Sequence, residues 1–353
     1  MVTIQAENLG AVAETTPETG NIDYGRTAEL VKGTSSLFIC DATPASIELL
    51  KSIVPTLAEA ANLRLYSAAP KRVEAGLPEL KGKVTTLPPP IPASDGESAY
   101  SPQLLEGGTK IFLGSARPDP LFGIIDSRVE ACLNWVAPAR VLAAEARKGM
   151  EPQPFQRTES FEVVEELASR IKEASFLTSV PRGGKLRVVM EDAPFDAIKN
   201  GFAKVAMAQA KGLVVGAGGR GYDDTLSSAI RGVWNVIQGV RRTGTVLLIA
   251  ECSEGVGSTA LEMLVTGRMT TEGDRRREKY IPGLEEVFYL NKLKDEYDVL
   301  LLSGLPETYA RSKLGLTTAK GSGEAVGRML NKVGRSGRLN VVPRAPECLI
   351  ESG

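Results

Sequence analysis

The sequence predicts an α/β protein of two domains, each with a mostly parallel sheet flanked by helices, and with a ligand cleft between them. Its 353 residues exceed the ~100–200 that one domain commonly takes. Hydrophobic residues make up 42% and charged residues 24%, as in ordinary globular proteins. In both halves, short apolar runs alternate with segments of helical periodicity, and this alternation favours parallel sheets.

The first half opens with a strand–helix–strand pattern that follows a polar lead-in, residues 1–20, expected to be mobile. Ser36–Asp41 is an apolar run typical of a buried strand. Thr43–Asn62 has apolar residues at helical spacing, and Leu63–Ala68 is a second short apolar run. A third strand is predicted at Lys110–Gly114.

Later segments complete a first domain over residues 21–200. Five prolines between Thr86 and Pro102 predict a long surface loop. The remaining predicted elements are two helices, roughly Ser127–Arg147 and Thr158–Lys172, and a hairpin formed by strands near Ala174–Val180 and Lys185–Met190.

The second half repeats one strand–loop–helix unit and forms the second domain, residues 205–353. Its predicted strands are Gly212–Val215, Gly244–Cys252, Tyr297–Pro306 and Leu339–Pro343. Helices are predicted after Leu226, after Thr259 and over Gly323–Gly334. The boundary between the domains is expected near Lys199–Ala210, and Arg268–Pro282 is charged and aperiodic, as expected for a surface excursion.

Charge and cysteine content exclude several classes of function. A net charge of −1 gives no basic footprint for nucleic acid. No apolar run is long enough for a membrane span, and the first residues lack the features of a signal peptide, so a cytoplasmic location is expected. The four cysteines have no disulfide or zinc spacing and are expected to be buried.

The chain contains no histidine. This absence excludes a Ser-His-Asp triad, a Cys-His pair and any metal site with a histidine ligand. Acid–base chemistry would therefore depend on Asp, Glu, Lys, Tyr or Cys.

Three glycine-rich loops follow the strands of the second half: GAGGRGYDD from Gly216, ECSEGVGS from Glu251, and SGLPETYARSKLG from Ser303. Ligands of parallel sheets bind outside the carboxyl ends of the strands, where glycine permits close backbone approach. We predict a small-molecule site at this edge; the alternative is that the loops are only tight turns. The predicted lining residues are Gly218, Gly219, Asp223, Glu251, Gly255, Gly257 and Ser303.

The first of these loops spells G-x-G-x-x-G at Gly216, Gly218 and Gly221. It follows a strand and precedes a helix, and Glu251 ends the next strand, as in a dinucleotide site. However, Glu251 lies 30 residues beyond Gly221 rather than the usual ~20. Asp223 and Asp224 also place negative charge where a pyrophosphate would bind, so dinucleotide binding is the less favoured interpretation.

Several segments together resemble the nickel-pincer lactate racemase family. GAGGRGYDD, GTVLLIAECSEGVGS, YDVLLLSGLPE and VVPRAPE resemble its C-terminal domain, while NIDYG, CDATP and LFGIIDSRVEACLNW resemble its N-terminal domain more loosely. The resemblance implies a two-domain α/β fold. It also implies racemisation or epimerisation of 2-hydroxy acids. The implied cofactor is a nickel pincer built on a pyridinium mononucleotide, which lies between the domains and accepts and returns a hydride.

The chain departs from this family at the positions that carry its chemistry. Pro44 stands where the family has its carboxylate-binding arginine, and Trp135 stands where it has a nickel-ligating histidine. The acid–base histidine would fall near Pro70 or Lys71. The lysine that anchors the cofactor would fall near Pro118 or Asp119. We therefore expect the fold of the family, with no nickel-pincer nucleotide and no metal, and we assign no catalytic residue and no other cofactor.

Asp41, Thr43 and Arg117 are the remaining candidates for the same cleft. Each has a structural alternative: Asp41 and Thr43 end a strand and cap a helix, and Arg117 pairs with a surface acid.

The leading hypothesis is a divergent lactate racemase-like protein that binds a small anionic metabolite, a 2-hydroxy acid or a nucleotide-like molecule, in the interdomain cleft. If it is an enzyme, the resemblance implies an isomerase. Two alternatives are open: a non-enzymatic sensor or regulator on the same fold, and a nicotinamide-dependent oxidoreductase that uses the GAGGRG loop. The expected partner is a small-molecule ligand, without nucleic acid or membrane, and the chain is compatible with an oligomer.

Overall fold

The computed structural model describes residues 9–10, 24–59, 62–91, 98–147, 149, 151–182, 185–270, 280–334 and 336–352. The described residues form two six-stranded sheets and three two-stranded sheets, with helices against the large sheets. The predicted α/β class with mostly parallel sheets is confirmed. No helix in this described part combines the length and the apolar character needed to cross a bilayer.

The elements are numbered in chain order. The strands are β1 (Leu9–Gly10), β2 (Ser36–Ile39), β3 (Arg64–Ser67), β4 (Val84–Thr86), β5 (Ala99–Tyr100), β6 (Lys110–Ser115), β7 (Arg117–Asp119), β8 (Gly123–Ile125), β9 (Val136–Ala137), β10 (Ala174–Arg182), β11 (Lys185–Glu191), β12 (Ala203–Met207), β13 (Ala210–Gly216), β14 (Val240–Ile249), β15 (Asp298–Leu302), β16 (Thr317–Thr318), β17 (Leu339–Val342) and β18 (Cys348–Ser352). The α-helices are α1 (Tyr24–Lys32), α2 (Pro44–Glu59), α3 (Pro70–Gly76), α4 (Pro102–Leu105), α5 (Ser127–Trp135), α6 (Ala139–Ala146), α7 (Glu159–Ser169), α8 (Phe195–Gly201), α9 (Leu226–Val236), α10 (Thr259–Val265), α11 (Leu284–Glu296) and α12 (Ser322–Val333).

The first large sheet has the order β11-β10-β6-β2-β3-β4 and is parallel except for the edge strand β11. From β2 the chain passes through α2 to β3, while from β6 it passes to β10 on the opposite side. β2 and β6 are therefore adjacent strands whose connections leave in opposite directions. Such a switch point leaves a crevice at the carboxyl ends of the two strands, which is where ligands of open sheets bind.

The second large sheet has the order β1-β17-β13-β14-β15-β16 and is parallel throughout. Residues such as Leu213, Val246 and Leu248 pack with α9, α10 and α11 in one apolar cluster. Leu247 and Leu300 pack with Met329 of α12 in another. Helices on both faces explain why these strands read as continuous apolar runs.

Two strand pairs join distant parts of the chain. Leu9 of β1 pairs with Leu339 of β17, at the edge of the second sheet. β12 pairs in parallel with the C-terminal strand β18, from Ala203 opposite Cys348 to Met207 opposite Ser352. The predicted start of the second domain, residue 205, lies inside β12.

Three of the differences from the sequence-based expectation concern residues 127–147, the C-terminal strand and helix α11. The single helix expected over 127–147 is two helices, because Pro138 has no amide hydrogen to donate and disfavours helical geometry in the residue before it. The strand at Leu339–Pro343 is not the last one, since β18 follows. Helix α11 was not predicted, because Glu285 and Glu286 lie buried on it and obscure its apolar stripe.

Two predicted surface segments are described only in part. Residues 92–97 of the loop expected at Thr86–Pro102 lie outside the described residues, and the same is true of 271–279 in the charged excursion. Within the described remainder of the first segment, Ala99–Tyr100 forms β5, which pairs with β9.

Candidate functional site

Asp41 connects the two strands that border the first crevice. Its Oδ2 accepts hydrogen bonds from Ser115 N at 2.7 Å and from Ser115 Oγ at 3.2 Å. Its Oδ1 accepts from Thr43 N at 3.0 Å and from Thr43 Oγ1 at 2.9 Å. Thr43 Oγ1 also accepts from Ser46 N at 3.3 Å at the start of α2. Asp41 and Thr43 therefore have the structural roles of strand end and helix cap while they line the crevice.

Arg117 is the first residue of β7, two residues beyond the end of β6, and lies in the same crevice. One of its guanidinium nitrogens lies 2.5 Å from Glu130 Oε2 on α5, and another lies 3.9 Å from Asp41 Oδ2. The side chains of Arg117 and Glu130 are only 18% and 15% exposed. Arg117 thus pairs with a largely buried acid, not with the surface acid proposed as its alternative.

Burial shifts the ionisation of this pair. It raises the pKa of Glu130, an effect that Arg117 opposes and Asp41 reinforces. Burial alone would lower the pKa of Arg117, but Glu130 and Asp41 outweigh it and raise that pKa. The guanidinium therefore remains charged in a mostly desolvated position.

The glycine loop of the second domain packs directly on this crevice. Gly221 has a φ of +90°, and a Cβ on it would lie 3.1 Å from Thr43 Cα. The next residue, Tyr222, is buried, and its hydroxyl has no hydrogen-bond partner among the described residues. Burial raises the pKa of Tyr222, the charges of Glu347 and Asp41 raise it further, and Arg117 and the Thr43 hydroxyl oppose the rise. The phenol therefore belongs to the same cluster as Asp41, Thr43 and Arg117.

The three glycine loops of the second domain meet at one sheet edge. Cys252 N donates to Asp223 O at 2.8 Å, and Glu251 N donates to Asp223 Oδ2 at 3.3 Å. Gly304 N donates to Glu251 O at 2.9 Å, which connects the third loop to the second. The predicted convergence of the loops is thus present in the structure.

The other predicted lining residues of this edge differ in exposure and role. Gly218, Gly219, Gly255 and Gly257 all have positive φ, between +83° and +98°. The side chain of Glu251 is exposed, while Ser303 is half-buried and its Oγ accepts from Leu305 N at 3.3 Å.

Several amides at the start of α9 are already hydrogen-bonded within the protein. Asp224 Oδ2 accepts from Gly221 N at 3.1 Å. Leu226 N and Ser227 N donate to carbonyl oxygens of the second loop, each at 3.0 Å. A dinucleotide loop needs such amides for the pyrophosphate, and here the protein's own carboxylate and carbonyl oxygens take them.

Arg72 of α3 connects the first domain to two glycine loops of the second. Its guanidinium lies 2.8 Å from Asp224 Oδ2 and also forms an ion pair with Glu254. The sequence interpretation missed Arg72, although it directly follows Pro70 and Lys71, which were already singled out.

A second, more deeply buried ion-pair network crosses between the domains. Arg231 of α9 lies 2.5 Å from Glu286 Oε1 and 3.4 Å from Asp119 Oδ2 of the first domain. Arg140 of the first domain lies 2.5 Å from Glu285 Oε1 and 2.9 Å from Glu286 Oε1. Residues from β7, α6, α9 and α11 thus hold the two domains together.

The charges in this network stabilise one another. Burial opposes ionisation of Glu286, but Arg231 and Arg140 outweigh it and lower its pKa to about 2. Burial alone would lower the pKa of Arg140, whereas Glu285 and Glu286 raise it. Glu286 is therefore an anion throughout the physiological pH range.

The residues at the family's cofactor positions do not fit a nickel pincer. Trp135 is fully buried, packs edge-on against Phe38 at 5.4 Å, and donates its indole N–H to Leu87 O at 3.1 Å. Asp119 accepts from Leu121 N and pairs with Arg231. Within the described residues, no group of three or more Cys, Asp and Glu side chains is arranged to hold a metal ion.

A cavity of about 420 Å³ lies away from this crevice, where the chain passes from α6 to α7. Its lining includes Arg147, Gln153, Gln156 and Arg157. The Arg147 guanidinium is already bonded to the carbonyl oxygens of Leu121 and Glu151, each at 2.6 Å. Arg157 pairs with Glu165 at 2.6 Å, so neither arginine of the cavity is without a partner.

Comparison with solved structures identifies the scaffold. The chain is similar to the lactate racemase apoprotein from Thermoanaerobacterium thermosaccharolyticum, with a TM-score of 0.68 and 15% identity over 99% of this chain and 97% of that one. It is also similar to a crystallised protein from Thermotoga maritima, with a TM-score of 0.57 and 12% identity over 93% and 96% of the two chains. No family profile and no curated protein matches the sequence. At these identities the comparison shows a lactate racemase-like fold and nothing finer.

Proposed function

We propose that this protein binds a small metabolite through its carboxylate between its two domains, without the nickel-pincer racemase mechanism. A 2-hydroxy acid or another 2-substituted acid is preferred to a nucleotide-like molecule. The observation that carries the proposal is Arg117. This guanidinium is largely buried at a sheet switch point, and the hydroxyl groups of Thr43, Ser115 and Tyr222 belong to the same cluster.

The chemistry of the cluster suits recognition of a carboxylate. A guanidinium can bind a carboxylate through two parallel hydrogen bonds, yet Glu130 makes only one close contact with Arg117. A ligand carboxylate would replace Glu130 on Arg117, and the neighbouring hydroxyl groups would orient the substituent on its second carbon. Because Gly221 packs on Thr43, entry requires the domains to separate.

Catalysis by two opposed bases has no support in this cluster. Such a mechanism needs a base on each side of the reacting carbon, whereas both oxygens of Asp41 already accept hydrogen bonds from Thr43 and Ser115. A binding protein that acts as a sensor uses the same site, and turnover of the bound ligand distinguishes an enzyme from a sensor. The occupied amides at the start of α9 count against the nicotinamide-dependent alternative.

Thermal unfolding in the presence of glycolate, lactate, malate and mononucleotides tests the proposal. A ligand at a hundred times its Kd adds ~2.7 kcal/mol to the free energy of unfolding. Arg117→Gln should abolish the rise in Tm. Arg64→Gln, which breaks an exposed ion pair with Glu106, should leave it intact. The proposal is wrong if no carboxylate stabilises the wild-type protein, or if Arg117→Gln responds as the wild type does.

A further inference from the structure

We infer that the carboxylate ligand is a zwitterion, an α-amino acid, and not the corresponding 2-hydroxy acid. The inference rests on the proposed function and names the ligand class of that same site. It follows from the excess of carboxylates around Arg117 and along the interface between the domains.

In the ion pairs of this interface, as far as the described residues show, acidic groups outnumber basic groups, although the whole chain carries a net charge of only −1. The ion pairs that form or border it involve four arginines, Arg72, Arg117, Arg140 and Arg231, and seven carboxylates, Asp41, Asp119, Glu130, Asp224, Glu254, Glu285 and Glu286. The fold thus concentrates acid where the domains meet. An anionic ligand would add to that excess, and like charges in a desolvated site repel strongly.

The exchange of partners at Arg117 makes the argument specific. When a ligand carboxylate takes Arg117, Glu130 loses the guanidinium that lies 2.5 Å from it. A buried carboxylate without a partner is strongly destabilising. A 2-hydroxy acid offers Glu130 only a neutral hydroxyl, whereas the ammonium of an α-amino acid supplies a new cation. One ion pair then becomes two, and the net charge of the site is unchanged.

The Tyr222 hydroxyl is a second observation that points to a polar ligand in the cluster. Tyr222 is only 3% exposed, and its hydroxyl makes no hydrogen bond of normal geometry among the described residues, although the Thr43 hydroxyl lies near it. Buried polar atoms without partners are rare in folded proteins. An ammonium has three hydrogens to donate. We infer that it donates one to Glu130 and one to the Tyr222 oxygen, since Asp41 already accepts hydrogen bonds from Thr43 and Ser115.

Isosteric pairs of ligands test this inference by calorimetry on the full-length protein at pH 7. Each pair has the same side chain and differs only in ammonium against hydroxyl at the second carbon: alanine and lactate, serine and glycerate, aspartate and malate, phenylalanine and phenyllactate. In the best-binding pair, the amino acid should bind about ten- to hundredfold tighter, as expected for a hydrogen-bonded charge.

Two variants locate the effect. Glu130→Gln removes the proposed partner of the ammonium and should reduce the preference within the pair to less than about threefold. Glu106→Gln breaks an exposed ion pair with Arg64 and should leave the preference unchanged.

The outcomes separate the inference from the proposed function. If a 2-hydroxy acid binds as tightly as its amino acid counterpart, the inference is overturned and the proposed function stands. If neither member of any pair binds, both fall. An amino acid preference that survives Glu130→Gln overturns the assignment of Glu130. The wild-type comparison within pairs decides the ligand class even if this variant does not fold.

Discussion

Replacement of Glu286 by glutamine should weaken the contact between the domains and lower the stability of the protein. Glu286 is 2% exposed and lies 2.5 Å from Arg231 and 2.9 Å from Arg140. It also accepts a hydrogen bond from Ser227 Oγ at 2.7 Å. Glutamine keeps the size of the side chain and removes its charge, so the change isolates electrostatics from packing.

Two arguments give a similar magnitude for this loss. Removal of one member of a buried ion pair costs about 3–5 kcal/mol, and here the cost is reduced because Arg231 keeps Asp119 and Arg140 keeps Glu285. Independently, a fall in pKa from 4.5 to about 2 corresponds to about 3 kcal/mol of stabilisation. We therefore expect a loss of about 2–4 kcal/mol at pH 7.

The same substitution should change how stability depends on pH. The pKa of Glu286 is lower in the folded protein than in the unfolded chain, so its contribution is complete above about pH 4.5 and decreases as the pH falls toward 2. The difference between wild type and Glu286→Gln should therefore be smaller at pH 3.5 than at pH 7, by about 1 kcal/mol.

Urea unfolding followed by circular dichroism at both pH values measures these differences. Glu166→Gln is the matched control, because Glu166 pairs with Arg170 at an exposed site, and such pairs contribute at most about 1 kcal/mol. The reasoning would be refuted by a Glu286→Gln variant as stable as the control variant at pH 7. A difference from wild type that grows as the pH falls would equally refute it.

Three further predictions concern the interface, the cofactor and the cysteines. Gly221→Ala should lower the free energy of unfolding in urea by about 1 kcal/mol more than Gly219→Ala does. Both glycines have positive φ, but only at Gly221 would a Cβ lie against Thr43. Equal losses would contradict the interdomain contact. After co-expression with pincer-synthesis enzymes, elemental analysis should show no stoichiometric nickel and intact mass should show no added group, because Trp135 is buried in an aromatic cluster. A nickel-to-protein ratio near one, with an added mass on a lysine, would contradict this prediction. In native protein at pH 8 a thiol reagent should react slowly, because Cys40 and Cys132 are buried and burial raises the pKa of Cys252 and Cys348 to about 12. Four thiols should appear on denaturation, and a native thiol that reacts as fast as free cysteine would contradict this reasoning.

Local patterns in the sequence predicted most of the fold. The apolar runs at β2, β3 and β6 and the periodic segment of α2 lie where their residue spacing places them. Helix α11 escaped prediction because Glu285 and Glu286, although acidic, point into the interface, and their charges are compensated by Arg140 and Arg231. No local pattern can show a compensation that depends on residues far away in the chain.

The candidate site shows the same limit. Asp41, Thr43 and Arg117 were predicted to line one cleft from their positions after strands and from the resemblance, and the structure places them within one cluster. Glu130, Tyr222 and Arg72 were missed. Their roles depend on contacts that no local pattern shows: Glu130 pairs with Arg117, and Arg72 pairs with Asp224 of the second domain. Tyr222 is influenced by the charges of Asp41 and Arg117 of the first domain.

The pairing of β1 with β17 and of β12 with β18 has a consequence for biosynthesis. On the ribosome, the strands of the first large sheet, from β2 to β11, are all synthesised before β13, so that sheet can form early. β1 and β12 must instead wait for Leu339 and Cys348, which are translated much later. Such long-range pairing slows folding. The second domain should therefore become protease-resistant only after Cys348 has left the ribosome, whereas the first should do so earlier in translation.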